Sequence, residues 1–188
     1  MPIILILGLY TDIFAQQDTT WNKWNWLVGE WIGEGSGQLG SGSGTFSFNF
    51  DLDKKILVRK SHSEYPAKDN NPKIIHDDLM IVYLDYSGIP SKANYYDNEG
   101  HTINYLITIS DKSIIFTSEK LTNVPIFRLT YTLLENEIVN TKFEIAQDGV
   151  NFINYIWLTF FLFPKFFYLH LLFLFCPYIL VAFYNQGI

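Results

Sequence analysis

The stretch "TFSFNF", residues 45–50, alternates apolar and polar positions without a break, so Phe46, Phe48 and Phe50 share one face and Ser47 and Asn49 the other. A period of two marks a strand with one buried face. Comparable runs follow at Lys54–Tyr65, His76–Asp85, Lys92–Asp97, His101–Ile109, Ser113–Glu119, Ile126–Leu134 and Glu137–Ala146, with a further start at residues 151–157. With Val28–Ser36 they make about ten strands. Turn residues separate them: Asp51-Leu52-Asp53, Ser87-Gly88, Asn98-Glu99-Gly100, Ser110-Asp111, Glu135-Asn136 and Asp148-Gly149. Helical periodicity is almost absent. Strands so regularly spaced predict an all-β antiparallel meander, and closing it into a single up-and-down barrel removes both exposed edges.

Residues 33–44, "GEGSGQLGSGSG", carry a G-x-G-x-x-G spacing from Gly35 to Gly40. A dinucleotide turn follows a strand and opens a helix whose N-terminus holds the pyrophosphate. Here the glycines run into the alternating phenylalanines, so the spacing belongs to a Gly/Ser-rich hairpin loop. Gly29, Trp31, Gly33, Gly35 and Gly37 fall on one face of the first strand, and alternate glycines let a strand bend as barrel closure requires. The preceding "WNKWNWL", residues 21–27, reads as a short helical turn plugging one end.

Composition narrows the function. The 188 residues carry a formal charge of −6 with no basic cluster, which excludes a nucleic-acid surface. One cysteine, Cys176, excludes intrachain disulfides and multi-cysteine metal sites. Residues 1–17 have an apolar stretch followed by small and polar residues, the layout of a secretory signal, which predicts an exported protein. No basic residue precedes that stretch and Asp12 interrupts it, so a buried first strand is the competing reading. Residues 158–188 are strongly hydrophobic, and Phe166–Tyr184 is free of Asp, Glu, Lys and Arg. That run is long enough to cross a bilayer, which takes roughly 17–25 residues. No Lys or Arg follows it, however, and its composition is also what a shifted AT-rich reading frame yields. The barrel is therefore assigned to residues 18–157, with 158–188 set apart as a membrane anchor or frameshift product.

Gly29-Glu30-Trp31 after an aromatic segment resembles the G-x-W opening of lipocalins, and "GEWIGEGSG" is similar to the start of nitrobindin-like barrels. The blocks "SHSEYPA", "HDDLMIVY", "YYDNEGH" and "FRLTY" most resemble small exported bacterial lipocalin-like proteins. The likeness covers about Trp24 to Tyr155 and implies a calycin-type barrel with a central ligand cavity. A haem site does not carry over. Nitrobindins hold haem through a histidine late in the barrel, and the one histidine after His101 is His170, in the hydrophobic tail.

In an up-and-down barrel alternate connections share an end. Gly35–Gly44, Tyr65–Ile75, Asp97–Gly100, Lys120–Val124 and Gln147–Val150 form one rim, the mouth; the remaining turns and the aromatic plug lie at the other. His62 and His76 flank the Tyr65–Ile75 connection and His101 opens its strand opposite Tyr96, so all four residues are candidate ligand contacts at the mouth. Glu64 shares a face with His62 and Asp78 with His76. Arg59 and Arg128, the two arginines beside eleven lysines, are the other candidates, because a planar guanidinium fork can hold an anionic head group. Each has a plain alternative as a solvated rim residue or an outward salt bridge. These features predict a non-enzymatic barrel that binds a small apolar or amphipathic molecule, with no cofactor or metal. Two alternatives stay open: an enzyme using His62, Glu64, His76, Asp78 and His101, and a haem protein with His76 or His101 as ligand.

Overall fold

The computed structural model describes residues 19–163, apart from residues 38, 69–71 and 136–137. Ten strands follow a short 3₁₀ helix (Asn22–Trp24): β1 (Gly29–Gly37), β2 (Gly40–Asp51), β3 (Ile56–Tyr65), β4 (Ile74–Tyr83), β5 (Lys92–Asp97), β6 (Thr102–Ile109), β7 (Ser113–Ser118), β8 (Ile126–Leu133), β9 (Ile138–Ala146) and β10 (Ile153–Leu162). Each pairs antiparallel with its sequence neighbour, and β10 returns to β1 to close the barrel. The up-and-down topology expected from the alternation is what forms.

Alternation decides which side chains enter the lumen. Phe46 and Phe48 are buried, with Phe46 packed edge-on against Tyr131 of β8 across the lumen and against Phe160 of β10. Trp31, Leu57, Met80, Val82, Tyr105, Ile114, Phe116 and Val139 complete an aromatic and aliphatic interior. The 3₁₀ helix corks one end. Trp24 packs on Phe116, Trp21 packs on Phe50, and the Trp21 Nε1–H donates to the Lys54 carbonyl at 2.8 Å. That last bond braces a turn in which Leu52, Asp53 and Lys54 all hold positive φ, a strained conformation for residues other than glycine.

The glycine-rich stretch differs from its sequence reading. It is no loop: the β1–β2 ladder runs straight through it, pairing Gly33 with Gly44, Gly35 with Gly42 and Gly37 with Gly40. On β1 the glycines lie close against the paired strand β10, and on β2 Gly42 and Gly44 lie close against β3. A Cβ on Gly33 or Gly35 would collide with the backbone carbonyl of Thr159 or Trp157. Tight closure, not phosphate binding, accounts for them.

A second correction concerns the barrel's end. Strand β10 continues five residues past Trp157, to Leu162, and turns Leu158 and Phe160 into the core. The barrel therefore takes the first part of the stretch set apart as a tail. Residues 1–18 and 164–188, with the signal and anchor readings attached to them, lie outside the described residues. No helix among the described residues is long and apolar enough to cross a membrane.

Trp31 stacks on Phe46 with centroids 5.8 Å apart and donates from Nε1 to the Leu27 carbonyl at 3.0 Å. It thus joins the first strand to the cork. Trp31→Ala is expected to cost about 3–5 kcal/mol in denaturant unfolding, the range for buried aromatic truncation. A loss under about 1 kcal/mol would place the ring outside the core.

Candidate functional site

One wall of the lumen is polar. Arg59 on β3 and Asp78 on β4 form a buried ion pair, with side chains 7% and 4% exposed. Register explains the meeting: Ser61 lies directly opposite Asp78, so Arg59, two residues below Ser61 on the same face, reaches it on the diagonal. From this pair a chain of polar contacts runs up to the mouth. His76 Nε2 lies 3.7 Å from the second Asp78 oxygen and 2.9 Å from the Tyr95 hydroxyl. The Tyr95 hydroxyl donates to Asp97 at 3.3 Å, and His101 Nδ1 meets the same Asp97 oxygen at 2.9 Å. Glu99, at the rim, meets His76 Nδ1 at 3.1 Å. Opposite, on β8, Tyr131 presents its ring to the Arg59 guanidinium at 5.8 Å.

Burial sets the electrostatics. It raises the Tyr95, Tyr105 and Tyr131 phenols far above their ordinary value, so all three remain neutral hydroxyls. Burial also pushes the Asp78 carboxyl up, with the Arg59 charge pulling the other way. At Asp97 burial likewise opposes ionisation, but hydrogen bonds from the His101 backbone and ring outweigh it and hold the carboxyl below its usual range. Arg59 Nε and the Tyr131 hydroxyl are buried without a well-formed hydrogen bond; burial dominates at Tyr131, and the Arg59 guanidinium beside it acts the other way through its charge and a weak hydrogen-bond contact. The Thr141 hydroxyl is in the same condition.

The structure thus links Arg59, His76 and His101 through one chain of polar contacts, with Arg59 buried in the lumen and His101, its side chain 62% exposed, at the rim. His62, Tyr96 and Arg128 are not part of it. In β3 and β5 the inward positions are the odd-numbered ones, which puts His62 and Tyr96 on the outer wall. His62 and His76 are also not direct partners: Ser63 faces His76, and His62 faces Asp77. The five-residue cluster considered for catalysis is therefore divided by the wall, with His62 and Glu64 outside, His76 and Asp78 inside and His101 at the rim. Arg128 makes the outward cross-strand ion pair, its Nε 2.8 Å from Glu144, and its guanidinium covers Phe152. Four lumen residues escaped the sequence reading: Tyr95, Tyr105 and Tyr131, hidden among other strand aromatics, and Asp97, assigned to a turn.

On the outer wall His62 is clamped by Asp77 at 2.6 Å and Glu64 at 3.3 Å. These hydrogen bonds, Asp77 first, raise its pKa above 6.5. A raised folded-state value gives stability that is full below the unfolded pKa and lost as pH climbs through the folded one. The stability gap between wild type and His62→Gln should therefore be widest below about pH 6.5 and shrink in alkali, as urea unfolding across a pH series would show. A gap that widens with pH would refute the clamp.

A concavity of about 780 Å³ is a trough on the outer wall rather than the expected central cavity, flanked by Glu30, Lys60 and Tyr96 on one side and Ile32, His62 and Asp77 on the other. The lumen is filled by side chains at its corked end. Toward the mouth the β1–β3 side is lined by small residues and one ring: above Trp31, Phe46 and Arg59 come Gly33, Gly35, Gly37, Gly42, Gly44, Ser61 and Ser63, and then the buried Tyr65, whose ring lies against Gly42. Ile103, Phe127, Phe143 and Ile156 pack against the core there but stay partly exposed, with Phe127 and Phe143 stacked. The mouth end, here called the vestibule, thus presents partly exposed apolar side chains above the polar wall.

No protein-family profile matches the chain, and no curated protein matches it. Among solved structures it is similar to that of Rv2717c from M. tuberculosis, with a TM-score of 0.54 and 9% identity over 77% of this chain and 98% of that one. At that identity the likeness carries architecture and no chemistry. The chain is a closed ten-strand antiparallel barrel of calycin-like fold, sharing that fold with Rv2717c.

Proposed function

We propose that the barrel binds a small apolar or amphipathic molecule, admitted through the mouth and held in the vestibule. The observation that carries this reading is the lining itself: Ile103, Phe127, Phe143 and Ile156 face inward yet remain partly exposed, directly above buried polar groups that lack partners. Apolar walls with a few convergent polar groups are how small-molecule sites are usually built. The enzyme reading is weaker because the wall splits its residues. The haem reading has less support at His76, where the Tyr95 hydroxyl and Glu99 engage both ring nitrogens.

Native mass spectrometry of the purified protein, followed by displacement of a fluorescent amphiphile, tests the proposal. Wild type should carry or take up one small molecule, and Phe143→Glu, placing a charge in the vestibule, should weaken uptake at least tenfold while circular dichroism shows the barrel intact. Uptake that Phe143→Glu leaves unchanged would sink the reading. An absorption band on adding haem, abolished by His101→Ala, would replace it with the haem alternative.

A further inference from the structure

Within the vestibule reading, the floor restricts what the bound molecule can be. Its unpartnered groups are donors: the Arg59 Nε–H, the Tyr131 hydroxyl and the Thr141 hydroxyl, each on a residue no more than 6% exposed. Two indole N–H groups near the cork, on Trp24 and Trp26, also lack partners. What distinguishes the floor is that Arg59 and Tyr131 come together there, with the small Ser61 and Ser63 above Arg59 on β3.

Charge decides the rest. Among the described strands, Arg59 is the only Lys or Arg at an inward position, and its charge is already matched by Asp78. Asp97, 3% exposed, and Glu99 at the rim add two further carboxylates, faced by His101 and His76. A carboxylate head group entering here would be desolvated beside three others with one guanidinium to share, an arrangement that burial makes costly. An uncharged carbonyl oxygen meets the same donors without that cost, and satisfies groups that are expensive to leave unbonded. We infer that the site, if the vestibule reading holds, selects amphiphiles with a neutral hydrogen-bond-acceptor head, such as a ketone, ester or amide, over the matching carboxylates.

The test is competition at pH 8 between 2-dodecanone and dodecanoate for the full-length protein, read by displacement of an uncharged fluorescent probe. The ketone should bind at least tenfold more tightly. Tyr131→Phe, which keeps the ring and removes one donor, should weaken the ketone about fivefold, the worth of one neutral hydrogen bond, and leave dodecanoate unchanged. Dodecanoate binding as tightly as the ketone would overturn the inference while leaving vestibule binding intact. So would selectivity undiminished in both Tyr131→Phe and Thr141→Val, since the floor would then not be the selector. If neither compound displaces the probe and Phe143→Glu does not affect the probe, the vestibule reading falls and takes this inference with it.

Discussion

Ending the chain after Trp157 is expected to abolish the barrel. That truncation removes half of β10, including Leu158 and Phe160, which face Gly35 and Gly33 across the closing seam and pack into the core. Phe160 lies 4.6 Å from Phe46, ring centre to ring centre. Loss of such residues costs about 3–5 kcal/mol for a phenylalanine and 2–5 for a leucine. The broken ladders to β1 and β9 add to that and expose both edges. Domain stabilities of about 5–15 kcal/mol leave little to absorb it. Far-UV circular dichroism with thermal melting should show no cooperative β transition for the chain ending at Trp157, whereas a chain ending at Phe163 keeps every described strand. Phe160→Ala in the full chain asks the same question without shortening, with an expected loss of about 3–5 kcal/mol. Equal melting of the chain ending at Trp157 and the full chain would return these residues to the tail.

The second large effect belongs to the buried pair. Arg59→Leu or Asp78→Leu alone strands a charge in the lumen and should cost about 3–5 kcal/mol. The double substitution replaces the pair by apolar side chains amid Phe48, Met80 and Tyr131 and should recover most of that loss, because a well-packed apolar replacement of a buried pair is often neutral. The readout is a double-mutant cycle from denaturant unfolding, with strong positive coupling expected. Additive losses would mean that the two groups do not depend on each other, and the floor would lose its charge balance. Binding adds an independent check: with both charges gone, the preference for a ketone over a carboxylate should narrow, since the competing charges at the floor are fewer.

Much of the fold was legible because a strand's information is local. The Phe46–Phe48–Phe50 alternation marks a buried face with no knowledge of the rest of the chain, and Ser87-Gly88 or Asp148-Gly149 breaks a strand wherever it occurs. Glycine at four of the five alternate positions of β1, with Trp31 at the other, likewise announced a tight bend. The site was less legible, because β3 carries polar groups on both faces: Arg59, Ser61 and Ser63 inward, Lys60, His62 and Glu64 outward. No hydrophobic pattern orients such a strand. Its orientation comes from pairing, which sets Arg59 opposite the buried Phe48 on one side and Met80 on the other. One step of register then sends His62 to solvent and brings His76 into the lumen. The end of β10 was hidden for the converse reason. Its outward Phe161 is as apolar as its inward Phe160, so alternation vanishes from the sequence, and only the closing contacts with β1 decide where the barrel stops.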